Sequence, residues 1–99
     1  MAVIGTARVM AADKTAKAVE VKIDNFSFGP PTLRVNVGTE VKWVNRDDIP
    51  HQVSSDDMTT FHSRALDTDE SWSYTFTKPG TYKYFCSIHP KMTGQVVVE

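Results

Sequence analysis

The chain has 99 residues and a formal net charge of -1, with 40% hydrophobic and 23% charged residues. This length fits one domain and is too short for two, and such a domain buries roughly 60–70% of the surface of its unfolded chain. The charge balance gives no basic footprint for nucleic acid. No segment approaches the roughly 18 consecutive apolar residues of a membrane span. We therefore expect one globular domain with no nucleic-acid partner and no membrane span.

The first residues of the chain leave three interpretations open. Residues 1–12 are mildly apolar, but Arg8 lies among them and no basic segment precedes them, unlike an intact signal peptide. The segment is the remnant of a signal peptide, the result of a chosen start codon, or an extra strand. We predict that residues 1–17 form an N-terminal extension and that residues 18–99 form the domain.

Alternating apolar and polar residues predict β-strands along the rest of the chain. The apolar positions are Val19, Val21 and Ile23, then Leu33, Val35 and Val37, then Trp72, Tyr74 and Phe76, and finally Val96 and Val98. A period of two places one face of a strand in the core and the other in water. Turn residues separate these runs, and the polar segment 54–69 predicts a surface loop with room for a short helical turn. We predict an all-β fold, an antiparallel Greek-key β-sandwich of seven to nine strands.

Cys86 is the single cysteine of the chain, so an internal disulfide is excluded. A lone cysteine is a buried apolar thiol, a reactive thiol or a metal ligand. Tyr82 and Tyr84 share the strand parity of Cys86, so the sulfur faces inward if the tyrosines do. His89 follows Cys86 after two residues and Met92 follows His89 after two more. These potential ligands lie on one short loop, which favours the metal ligand.

A fourth ligand must come from another part of the chain, and His51 is the best candidate. Pro50 restricts the backbone directly before it, and loops at one end of a sandwich cluster together. Two imidazoles, a thiolate and a thioether are the ligand set of a type 1 copper site. Structural zinc sites usually use more thiolates, and a catalytic Cys–His pair needs a substrate cleft that the sequence does not indicate. The predicted ligands of one copper ion are His51, Cys86, His89 and Met92.

With these residues the chain resembles the cupredoxins, the family of type 1 blue copper proteins, and among them the amicyanins. The resemblance covers roughly residues 19–99 and rests on segments 41–46 and 50–51, on 80–82 before Cys86, and on 94–99. The short spacing between His89 and Met92 is also typical of amicyanins. The resemblance implies a periplasmic protein that passes one electron between redox donor and acceptor proteins, with copper cycling between Cu(II) and Cu(I). It further implies that the edge of His89 is the electron port.

Two residues depart from the pattern of the family. Gln52 stands where cupredoxins usually have an asparagine whose side chain ties the two ligand loops together. Ile88 stands where amicyanins typically have a proline. We expect the backbone N–H of Gln52 still to donate to the sulfur of Cys86, and we expect a looser loop around His89.

Two other functions remain as alternatives to an electron shuttle. A copper carrier would hand the ion to another protein, and its site would be rich in methionine, whereas this chain has four scattered Met. A copper enzyme would need a second site built from further histidines, and this chain has three His in all. We therefore expect a monomeric electron shuttle that is not an enzyme.

Residues around the predicted port have two interpretations. Ile49, Pro50, Ile88, Pro90 and Lys91 either stiffen the loops or form a patch where redox partners dock transiently near His89. The third histidine, His62, is expected to be exposed and not to bind metal. Phe26 and Phe28 are expected to pack in the core or at its rim.

Overall fold

In the computed structural model, residues 18–99 are described, and they contain eight strands and no helix. The strands are β1 (Val19–Asp24), β2 (Ser27–Gly29), β3 (Thr32–Val35), β4 (Glu40–Asn45), β5 (Ser54–Ser55), β6 (Ser71–Thr75), β7 (Gly80–Phe85) and β8 (Thr93–Val98). The predicted extension, residues 1–17, lies outside the described residues, so its boundary stays a prediction. Within the described range, nothing has the helical length and apolar character that crossing a membrane requires.

The strands form two four-stranded sheets, in the orders β2-β1-β4-β6 and β3-β8-β7-β5. This arrangement confirms the predicted all-β sandwich. Both sheets are mixed, because β1 runs parallel to β4 and β3 runs parallel to β8. The alternation of apolar and polar residues does not distinguish parallel from antiparallel pairing, since side chains alternate between faces in both kinds of strand.

Side chains that alternate along the strands fill the space between the two sheets. Fully buried members of this core include Val21, Ile23, Val41, Trp43, Tyr84, Cys86 and Val96. Val37 differs from the predicted pattern and is 45% exposed. The reason is that β3 ends at Val35 and the chain turns at Gly38, whose φ of 91° suits glycine.

The polar segment 54–69 packs more closely than its composition indicates. It begins with β5 and places Phe61 and Leu66 in the core, at 3% and 0% exposure. Leu66 exchanges two backbone hydrogen bonds with His51, with N···O distances of 2.7 and 3.0 Å. The segment therefore helps to fix the backbone of a predicted ligand.

Candidate metal centre

Three of the predicted ligands converge at one end of the sandwich. The Sγ atom of Cys86 lies 3.7 Å from Nδ1 of His51 and 3.9 Å from Nδ1 of His89. One ligand atom from each residue falls within 4.8 Å of the others. His51 and Cys86 are fully buried, and His89 is half-buried. The cluster therefore has a buried side toward the core and a side that reaches the surface through His89.

The loop between β7 and β8 holds Cys86, His89 and Met92 in a closed turn. The N–H of His89 donates to the carbonyl of Cys86 at 3.1 Å, and the N–H of Met92 donates to the carbonyl of His89 at 2.9 Å. The N–H of Cys86 donates in turn to the carbonyl of Met92 at 3.0 Å. Met92 is buried at 6% exposure directly before β8. All four predicted residues therefore belong to the same end of the molecule.

His51 is held in one tautomer by Asp47. Its Nε2 atom lies 2.7 Å from Oδ2 of Asp47. Because a carboxylate only accepts hydrogen bonds, Nε2 carries the proton, and Nδ1 keeps a free lone pair toward the cluster. Such a partner orients a ligating imidazole and raises its basicity.

The Asp47 carboxylate also binds the turn between β1 and β2. It accepts hydrogen bonds from the backbone N–H of Asn25 at 2.7 Å and of Phe26 at 3.0 Å. Burial raises the pKa of Asp47, but the hydrogen bonds from Phe26, His51 and Asn25 outweigh it and bring this pKa below 3.8. Asp47 is therefore an anion near neutral pH.

Asn45 is a fully buried residue whose side chain holds the loop between β4 and His51 in place. Its Nδ2 donates to the carbonyls of Ile49 and Leu66, both at 2.8 Å. Its Oδ1 accepts the backbone N–H of Asp47 at 2.9 Å. One side chain thus fixes the segment between β4 and His51.

Gln52 ties the two ligand loops together in spite of its longer side chain. The expected backbone hydrogen bond is confirmed, with the N–H of Gln52 3.3 Å from Sγ of Cys86. The Gln52 Oε1 accepts from the hydroxyl of Ser87 at 2.5 Å, and its Nε2 donates to the carbonyl of Ser63 at 2.7 Å. His62 is exposed, as predicted, and its Nε2 lies 3.1 Å from Nε2 of Gln52.

Asp47 and Phe26 are site residues that the sequence analysis missed. Phe28 is in the core, but Phe26 is 53% exposed and its ring lies perpendicular to both imidazoles. The ring centroids are 5.7 Å from His51 and 5.2 Å from His89. A turn-forming Asn25 before an aromatic residue was the available signal for this hairpin, but it does not indicate which loop the ring faces.

The donor set fits type 1 copper. It offers one sulfur that already accepts a backbone N–H and two imidazole nitrogens directed at that sulfur. Soft sulfur ligands and borderline imidazoles together suit both oxidation states of copper. A structural zinc site would ordinarily be closed by four Cys or His ligands, and the cluster in residues 18–99 has three.

Comparisons with known proteins agree with the fold and the donor set. A family model described as a cupredoxin-like domain matches residues 1–98. An amicyanin of Paracoccus versutus is 36% identical over 97 residues, which cover 92% of this chain and 72% of that protein. A solved purple cupredoxin from Nitrosopumilus maritimus superposes with a TM-score of 0.80 at 33% identity, over 82% of this chain and 99% of that chain.

A larger protein contains a similar domain. A copper-containing nitrite reductase from Thermus scotoductus superposes with a TM-score of 0.79 at 36% identity, over 84% of this chain and 22% of that chain. The fold and the site, taken with these relatives, define a small blue-copper electron-transfer protein with one type 1 copper ion. The chain belongs to the cupredoxin-like family.

Proposed function

We propose that His51, Cys86, His89 and Met92 bind the copper ion of this electron carrier. In this assignment Nδ1 of each histidine and the thiolate of Cys86 are the equatorial ligands, and the thioether of Met92 is the weak axial ligand. The observation that carries the proposal is the approach of both Nδ1 atoms to one buried sulfur, at 3.7 and 3.9 Å. A bound copper ion supplies the Cu(II)/Cu(I) couple that takes up and releases one electron.

The residues around the ligands keep this geometry fixed. Asp47 sets the tautomer of His51, and the N–H of Gln52 donates to the sulfur. The closed backbone turn from Cys86 to Met92 limits how far the ligand loop can move. A rigid ligand set lowers the rearrangement that accompanies electron transfer, which suits a shuttle better than a carrier that must release its metal.

We further propose that redox donor and acceptor proteins dock transiently over His89. A surface depression of about 470 Å³ next to this histidine is lined by Phe26, Ile88, His89, Pro90, Lys91 and Met92. Its apolar character suits a small, short-lived interface. As part of the same proposal, the carrier is a monomer that works in the periplasm, as the resemblance to amicyanins implies.

We also propose that the chain by itself is not an enzyme. Of its three histidines, two belong to the cluster. The third, His62, lies within hydrogen-bonding distance of Ser54 and Gln52. A second copper site of the kind that copper enzymes use would need more imidazoles than the chain provides.

The absorption spectrum of the protein with one equivalent of Cu(II) tests the ligand assignment. We expect an intense band in the orange-red region that a mild reductant bleaches and an oxidant restores. Cys86→Ser should abolish the band, whereas the matched histidine control His62→Ala should keep it. An intense band in Cys86→Ser would refute the thiolate assignment, and ready transfer of copper to a chelator would favour the carrier.

Electron self-exchange between two copies of the protein tests the docking surface. Ile88 and Val37 are both large, exposed apolar residues, at 43% and 45% exposure, and only Ile88 lines the depression. Ile88→Lys should slow self-exchange by adding charge where two copies meet, and Val37→Lys should not. Equal rates in the two variants would show that this surface is not used.

A further inference from the structure

The two histidines of the centre are restrained in different ways. The imidazole of His51 donates to Asp47 and is fully buried. Within residues 18–99, the imidazole of His89 has no polar partner besides the sulfur of Cys86, 3.9 Å away. Two aromatic rings lie against the imidazole of His89: that of His51, tilted at a centroid distance of 5.0 Å, and that of Phe26, perpendicular at 5.2 Å. A perpendicular arrangement at this distance is a favourable geometry for two aromatic rings.

The backbone at Phe26 is unusual for an aromatic residue. Asn25 and Phe26 are the two residues between the paired Asp24 and Ser27, and their φ angles are 53° and 57°. Such a two-residue hairpin turn favours Asn-Gly, since both central residues adopt the left-handed conformation. Phenylalanine therefore occupies a position where glycine would be less strained.

Asp47 compensates for this strain. Its carboxylate accepts the N–H groups of both Asn25 and Phe26 and, at the same time, the imidazole of His51. The turn is thus anchored to His51 through Asp47, and it places the Phe26 ring against both imidazoles, closer to that of His89. Strained conformations that the surroundings hold in place often mark functional sites. Phe26 is strained and 53% exposed, so core packing does not account for its position and a role at the site does.

We propose that Phe26 is a positioning residue of the copper centre, because its ring holds the imidazole of His89 in the orientation that binds copper. This inference rests on the proposed role of His89 as a ligand. Phe26 thus restrains the half-buried His89, as Asp47 restrains the buried His51. Loss of the ring should free the imidazole to rotate and should weaken retention of the metal.

The variant Phe26→Gly separates positioning from structural support. It restores the preferred Asn-Gly turn, so the urea midpoint of the metal-free protein should stay the same or rise. The rate at which the Cu(I) protein loses copper to excess bicinchoninate should nevertheless increase about tenfold, the lower end of effects seen when residues behind a ligand are removed. Phe26→Tyr keeps the ring and should restore the original rate.

Met58 provides a matched control. It is 55% exposed with a φ of 62°, so Met58→Gly makes the same kind of change in a turn after β5. This variant should leave the copper loss rate unchanged. If Phe26→Gly retains copper as well as the original protein while His89→Ala loses it, the inference about Phe26 is wrong. If His89→Ala also keeps both copper and colour, the proposed ligand set itself fails.

Discussion

Nε2 of His51 lies 2.7 Å from Oδ2 of Asp47, in a loop where the same carboxylate accepts two backbone N–H groups from residues 25 and 26. This hydrogen bond sets the tautomer of the buried imidazole. It also places a negative charge behind the imidazole that we propose as a ligand, and such a charge favours Cu(II) over Cu(I). The loop that follows β4 therefore contributes to the electronics of the centre as well as to its shape.

Asp47→Asn should weaken copper binding and raise the reduction potential. The amide has one acceptor oxygen where the carboxylate has two, so at least one of the three hydrogen bonds is lost, and the negative charge disappears. Residues that support a ligating histidine typically contribute 10–100-fold in metal affinity, and we expect a loss of about tenfold because one neutral acceptor remains. Competition with a copper chelator and cyclic voltammetry measure the two effects.

The control for this experiment is Asp48→Asn, which removes the same charge from the next residue. Asp48 is exposed, and solvent screens its charge. The affinity and potential of this variant should stay close to those of the original protein. Equal changes in both variants would assign the effect to net charge rather than to the contact with His51.

Asn45→Asp should destabilise the domain far more than its similar size suggests. The aspartate has no N–H groups to offer the carbonyls of Ile49 and Leu66. The carbonyl of Leu66 still accepts the N–H of His51, but the carbonyl of Ile49 loses its partner, which costs about 1–3 kcal/mol. A buried carboxyl that faces two carbonyl oxygens adds to this cost, so we expect a loss of about 2–5 kcal/mol in the free energy of unfolding. Urea denaturation of the metal-free protein measures it.

The exposed Asn36 allows the same chemical change without burial. Asn36→Asp should stay within about 0.5 kcal/mol of the original stability, as surface substitutions usually do. A comparable loss in both variants would argue against the role of Asn45 as the centre of the loop.

The sequence was most informative where the deciding contacts are local. The spacing of Cys86, His89 and Met92 falls within one turn, so a pattern of seven residues already predicted their closeness. The alternation of β1 and β8 predicted the core in the same way. Asp47 and Phe26 escaped prediction because their contact joins residues 21 positions apart, through a left-handed turn whose direction no periodicity encodes. The close packing of segment 54–69 was hidden by its polar composition.

Tyr84→Phe should make the protein more resistant to alkali. Tyr84 is fully buried, and burial raises its pKa to about 12, with a smaller opposing effect from Trp43. Between pH 10 and 12 the unfolded chain loses this proton while the folded chain keeps it, so stability is present in full below pH 10 and falls as pH rises. The fall is about 1.4 kcal/mol for each unit of pKa difference.

Tyr84→Phe should lack the fall in stability that the ionisation of Tyr84 causes between pH 10 and 12. Below pH 10 it should be as stable as the original protein or more so, because the buried Tyr84 hydroxyl has no hydrogen-bond partner among residues 18–99. Tyr74→Phe, at a half-buried position, should leave the alkaline decline in place. Denaturation curves at pH 8, 10 and 11.5 distinguish these outcomes, and an unchanged slope in Tyr84→Phe would refute the assignment.

Met92→Gln should retain copper and lower its reduction potential. The amide oxygen is a harder donor than the thioether and stabilises Cu(II) relative to Cu(I). We expect a decrease of at least about 60 mV, which corresponds to a tenfold shift of a one-electron equilibrium. Met58→Gln, on an exposed turn, is the matched control and should not change the potential. Because Met92 is buried, the substitution could also disrupt the loop, so the blue band must first be shown to persist. Loss of the band would indicate a disrupted loop rather than a changed axial ligand. With the band intact, an unchanged potential would mean that the thioether of Met92 does not interact with the copper ion.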